Sequence, residues 1–197
     1  MAKLYFHFGA MNAGKSMILL QAAHNYTERG MKVLLLKPDI DNRDSDDGEI
    51  VSRIGIKKQA VTFAADANLE EFISDHELQN DLHCIFLDEA QFLTRDQVWQ
   101  LAAITDRLSI PVICYGLRTD FQGNLFPGSA ALLALADNVR EIKTLCWCGS
   151  KATMNLRTTA AGLPVKEGDQ VEIGGNDRYI SLCRKHWRKV QITRTKS

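Results

Sequence analysis

Nothing in this sequence approaches the ~20 consecutive apolar residues that a membrane-spanning helix needs, although 45% of its 197 residues are hydrophobic. Net charge is missing as well. The 24 Lys and Arg balance 24 Asp and Glu, which argues against duplex nucleic acid as the main partner, because binding to a phosphate backbone draws on an excess of basic side chains. There is no signal-peptide pattern, since the chain runs directly into Lys3-Leu4-Tyr5-Phe6, and internal repeats and low-complexity tracts are absent. These absences predict a cytoplasmic protein of one full domain, with room for a small appendage.

Cysteine is sparse, five in all. Cys84 and Cys114 sit inside apolar runs and read as buried thiols. Cys146, Cys148 and Cys183 fall towards the C-terminus, where clustering in a cytosolic chain points to metal more than to disulfide. Cys146-Trp147-Cys148 and Cys183-Arg184-Lys185-His186 supply two ligand pairs. Three thiolates and an imidazole suit a closed, tetrahedral structural zinc site. Such a site would pin both ends of the segment between them.

Short apolar runs alternate with helical patterns through most of the chain. Leu4–Phe8, Met31–Leu36, Ala60–Phe63, Cys84–Leu87, Pro111–Tyr115 and Val139–Leu145 read as strands. Met17–Arg29, Leu69–Leu78, Thr94–Leu108 and Ser129–Ala136 read as helices, the third opened by a Thr94/Gln97 capping box. Continuous apolar strands alternating with helices predict a parallel sheet covered on both faces. Asp39–Lys58 is polar and acidic, either a solvated surface loop or a lid. Cys146–His186 lacks a long apolar period and reads as an appended module.

Gly9-Ala10-Met11-Asn12-Ala13-Gly14-Lys15-Ser16 fits Gly-x-x-x-x-Gly-Lys-Ser, the phosphate-binding P-loop, and it lies between a strand and a helix as that chemistry requires. Backbone N–H groups cradle phosphate oxygens at a helix N-terminus, Lys15 reaches the β- and γ-phosphates, and the Ser16 hydroxyl ligates Mg²⁺. Asp88-Glu89 ends a later strand, at the sheet edge where ligands collect. Asp88 would complete the Mg²⁺ site, and Glu89 would be free to act as a base on a substrate hydroxyl or a water. Ile173-Gly174-Gly175-Asn176-Asp177-Arg178-Tyr179 is either a hairpin turn or a close backbone approach to a ligand. Phe92 and the Leu117–Phe126 stretch are either the walls of a slot for a flat ring or ordinary core.

In this order, Gly9–Ser16, the Arg43 loop, Asp88-Glu89-Ala90-Gln91-Phe92, Asp120-Phe121-Gln122-Gly123, Cys146/Cys148 and Ile173-Gly174-Gly175…Tyr179…Cys183…His186 resemble the type II thymidine kinase family over almost the whole chain. The resemblance implies a RecA-like P-loop parallel sheet with helices on both faces over 1–145, and a small zinc-anchored lasso-loop domain over 146–197 that closes on the nucleoside. It implies transfer of the ATP γ-phosphate to the 5′-hydroxyl of thymidine, or of deoxyuridine, in pyrimidine deoxynucleotide salvage. Glu89 would be the general base. Gly9 to Ser16, Asp88 and Gln91 would bind ATP. Met11, Phe92, Leu117, Phe121, Phe126, Ile173, Gly174 and Tyr179 would bind the nucleoside, and Arg43, also on the substrate side, would belong to the loop over the phosphates. Cys146, Cys148, Cys183 and His186 would hold zinc. The family's first zinc pair is usually Cys-x-x-Cys, and this chain is shorter by one residue there. The resemblance also implies a homotetramer and feedback inhibition by dTTP. The rival reading is a single-domain P-loop ATPase acting on nucleic acid, since Asp88-Glu89-Ala90-Gln91 also resembles the second motif of helicases.

Overall fold

The computed structural model describes residues 1–39, 48–170 and 178–192. The main unit runs β1 (Leu4–Phe8), α1 (Lys15–Glu28), β2 (Val33–Pro38), β3 (Glu49–Val51), β4 (Lys57–Gln59), β5 (Val61–Phe63), α2 (Leu69–Asn80), β6 (Cys84–Leu87), a 3₁₀ turn (Ala90–Phe92), α3 (Arg95–Leu108), β7 (Val112–Gly116), α4 (Pro127–Leu135) and β8 (Asn138–Glu141). Six of these strands form one sheet in the order β5-β2-β6-β7-β1-β8, every neighbouring pair parallel.

Successive strand residues point to opposite faces, and here both faces are apolar. Leu34, Leu36, Ile85, Leu87, Val112 and Cys114 meet α2, α3 and α4 through Ile73, Leu101, Ile104 and Leu132. Leu35, Cys84, Phe86 and Tyr115 meet Leu19, Leu20 and Ala23 of α1. This two-sided burial explains why the strands read as unbroken apolar runs. The helices start where local chemistry caps them. Asn68 accepts from the N–H groups of Glu70 and Glu71. The predicted capping box is present, with Gln97 N–H donating to Thr94 Oγ1 at 3.1 Å and Thr94 N–H to Gln97 Oε1 at 3.0 Å.

Two readings of the chain need correction. Asp39–Lys58 is not all loop, because β3 and β4 pair antiparallel and Ile50 is buried against α1. The single strand expected over Val139–Leu145 is two. β8 follows β1, and the Ile142 N–H still donates to Phe8 O at 2.7 Å. The chain then turns, and β9 (Thr144–Leu145) joins a different sheet, pairing with β10 (Lys151–Ala152). Gly9 allows the turn, since a Cβ there would stand 2.7 Å from the Ile142 carbonyl oxygen.

Beyond β10, β11 (Met154–Thr158) is flanked by β12 (Pro164–Val165) and β13 (Tyr179–Leu182), and α5 (Arg184–Ile192) closes the described residues. These elements have a small core of their own: Cys146, Ala152, Leu156, Leu182 and Cys183, with Trp187 and Val190 against it.

Candidate active site

The carboxyl ends of β1, β6 and β7 lie at one edge of the sheet, and the P-loop, Asp88 and Leu117 follow directly from them. Gly9 N–H donates to Gly116 O at 3.2 Å, stitching the start of the loop to β7. Asn12 and Gly14 adopt left-handed conformations, φ 64° and 82°, and turn the loop into the N-terminus of α1. Lys15 is buried, with Nζ donating to Ala10 O at 3.1 Å. Ala10 and Met11 are buried, Ala13 is half-buried, and Asn12 and Gly14 face outward.

Asp88 is 4% exposed. Its Oδ1 accepts from the Glu89 N–H at 3.0 Å, and the Ser16 side chain hydrogen-bonds its carboxylate. Burial, and then the charge of Glu89, push the Asp88 carboxyl above its ordinary range, while Ser16 and Lys15 pull it back. A buried carboxylate beside a serine hydroxyl offers the hard oxygen ligands that Mg²⁺ takes.

Glu89 sits at φ 53°, ψ 37°, an uncommon backbone for a residue with a side chain. Its carboxylate is held from behind. Gln91 Nε2 donates to Glu89 Oε2 at 2.5 Å, and Gln91 Oε1 accepts from Leu117 N–H at 2.9 Å. Gln91 is fully buried. Expected to touch ATP, it stands behind Glu89 with both ends of its amide engaged.

These groups open on a cleft of about 270 Å³ lined by Met11, Asn12, Gly14 to Met17, Asp88, Glu89 and Leu117. The opposite wall is Lys37 and the segment Glu49–Ile54, including Arg53. Neither Lys37 nor Arg53 stood out in the sequence. The one available signal was the Ile50-Val51…Ile54…Ile56 pattern, which marks a hairpin inside a polar stretch.

Beside the cleft, Met11, Leu117 and Phe126 form a buried apolar cluster with Phe92 and Tyr179 against it. The rings of Phe92 and Phe126 meet edge to face at 6.0 Å. The structure therefore brings five of the expected nucleoside-pocket residues together. Phe121 is not in this cluster. It is 1% exposed, with the Arg157 guanidinium 3.9 Å over its ring. Arg43, Ile173 and Gly174 lie outside the described residues.

Cys146, Cys148, Cys183 and His186 converge, their ligand atoms all within 4.8 Å of one another. Cys146 Sγ and Cys183 Sγ are each 3.4 Å from His186 Nδ1, and Cys148 Sγ is 3.9 Å from Cys183 Sγ. A tetrahedron with ordinary zinc–sulfur and zinc–nitrogen bonds has edges of roughly 3.5–3.8 Å, so the four donors fit a zinc ion. The shortened Cys-x-Cys pair does not break the cluster, because Gly149 N–H returns to Cys146 O in a tight turn. Burial opposes ionisation of the Cys146 thiol, but the N–H groups of Cys148 and Cys183, with His186 and the Cys148 side chain, outweigh it and lower its pKa to about 6.

A P-loop, an acidic pair at the neighbouring strand end and an apolar pocket beside them define a P-loop α/β protein that handles a nucleoside triphosphate next to a second, flat ligand. Comparison with known proteins narrows the class. The family model described as thymidine kinase matches residues 2–187. A thymidine kinase of Rhizobium meliloti (strain 1021) is 54% identical over 189 residues, covering 95% of this chain and 96% of its own. One of Ruegeria pomeroyi is 56% identical over 189 residues, covering 96% and 95%. The chain belongs to the thymidine kinase family and is a kinase.

Proposed function

We propose that this protein transfers the γ-phosphate of ATP to the 5′-hydroxyl of thymidine, giving the 5′-monophosphate. The observation that carries this reading is the position of Glu89. It lies on the wall of the phosphate cleft, next to the Met11, Leu117, Phe126 cluster that a flat base would enter. Phosphoryl transfer depends on positioning and charge neutralisation more than on covalent chemistry. The P-loop N–H groups and Lys15 hold the triphosphate. Ser16 and Asp88 would hold Mg²⁺, which would supply charge neutralisation for the transferring phosphoryl group. Glu89 accepts the 5′-hydroxyl proton as that oxygen bonds to the γ-phosphorus and the β–γ bridging P–O bond breaks, ADP leaving. Family resemblance assigns Arg43 to the phosphates and Ile173 and Gly174 to the nucleoside.

Residues 146–197 then act as a lasso domain over the nucleoside, held at its base by zinc on Cys146, Cys148, Cys183 and His186. A homotetramer, feedback inhibition by dTTP and a cytoplasmic location belong to the same reading and are supported by family resemblance. No helix among the described residues is long and apolar enough to cross a membrane.

The test is phosphate transfer from ATP-Mg²⁺ to thymidine, the intact chain against Glu89→Gln. The expected result is 5′-monophosphate from the intact chain, and a rate lower by on the order of 10²–10⁴ in the variant, the usual contribution of a positioned base. ATP hydrolysis stimulated by nucleic acid, with no nucleoside product, would overturn the reading.

A further inference from the structure

The β11/β13 ladder reaches across to the P-loop at one residue. Asn155 and Ser181 are directly opposed on the two strands, and between them they hold both polar groups of Met11. Met11 N–H donates to Asn155 Oδ1 at 2.8 Å, and the Ser181 hydroxyl donates to Met11 O. Asn155 is itself fixed, 3% exposed, with Nδ2 donating to Thr119 O at 3.1 Å and its carbonyl accepting from Trp187 Nε1 at 3.1 Å. Tyr179 shares the Ser181 face of β13, and it packs against the cluster that contains Met11. Two residues beyond Ser181 is Cys183, in the Cys/His cluster.

Met11 is immediately followed by Asn12 at φ 64°. A side-chain-bearing residue stays in that region only when its surroundings over-determine it. The grip on Met11 comes from a different sheet, just before the N–H groups that would face phosphate. We propose that Asn155 and Ser181 are positioning residues that lock the P-loop into its phosphate-binding shape from the β11/β13 sheet. The module that carries the Cys/His cluster is then part of the nucleotide site. The inference rests on the nucleotide reading of the P-loop.

The experiment is calorimetric binding of the magnesium complex of AMPPNP, a non-hydrolysable ATP analogue, to the full chain and to Ser181→Ala, Ser181→Thr and Asn155→Ala, with thermal unfolding of each. Stranding a buried polar group of the Met11 peptide should weaken binding on the order of tenfold in Ser181→Ala and Asn155→Ala. Ser181→Thr keeps the hydroxyl and should bind like the parent, a rescue that general loosening of the fold would not produce. Ser181 is only half-buried, so its variants remain informative if Asn155→Ala unfolds. Parental affinity in Ser181→Ala would overturn the lock while leaving the nucleotide reading intact. A parent chain that binds no analogue would overturn both.

Discussion

Glu89 is held by geometry that reaches past its own side chain. Gln91 spans from the Glu89 carboxylate to the backbone N–H of Leu117, just beyond β7, and Gly116 makes room for it: a Cβ on Gly116 would stand 2.8 Å from Gln91 Oε1 and 3.0 Å from Gln91 N. A base that wanders loses rate before it loses substrate affinity. On the proposed role of Glu89 as the base, Gln91→Leu should lower kcat roughly tenfold to a hundredfold with little change in the KM for thymidine, measured by steady-state kinetics. Gly116→Ala, by displacing the same amide, should reproduce that pattern. An effect on KM alone would show that Gln91 acts on substrate binding and not on the base.

Among the elements, α3 shows how local sequence carries stability into the fold. The Thr94/Gln97 box caps the helix, and the same Gln97 amide donates to Ala65 O and Ala67 O at 3.2 Å, joining the helix start to the loop before α2. Thr94→Ala removes one side of the box and should cost about 1 kcal/mol. That would appear as a fall of about 2–4 °C in the melting temperature of a chain this long. Gln97→Leu should cost more, because it leaves carbonyls of the Ala64–Ala67 loop without their donor as well as losing its part of the cap. Comparing the two melts separates the cap from the cross-link.

For the molecule as a whole, the Cys/His cluster ties β9, β13 and α5 together around a core of only a few apolar side chains. A core that small closes poorly without a cross-link, and metal binding then contributes directly to folding. With zinc bound as proposed, its removal by a chelator, or Cys183→Ser, should lower the melting temperature and increase protease cleavage between residues 146 and 192. The six-stranded sheet, which has its own two-sided core, should keep its far-ultraviolet signal. Restoring zinc should reverse the chelator effect and not that of the substitution.

Local sequence alone determined five of the six strands of the main sheet and its helices, the Thr94 cap, the P-loop and the acidic pair, because each is written in adjacent residues: an apolar run, a capping pattern, a glycine spacing. It also picked out the four metal-ligand candidates from residue type and spacing. Only tertiary structure decided the rest. The β3/β4 hairpin hid in a polar stretch, since its one deeply buried apolar side chain, Ile50, depends on where α1 lies. Val139–Leu145 divides because the close approach at Gly9 and Ile142 is a contact between segments more than 130 residues apart. Phe121 and Gln91 show the same limit. An aromatic ring or an amide in a loop does not carry in its neighbours whether it meets a ligand, an arginine or a carboxylate, and that is settled by which distant strand packs against it.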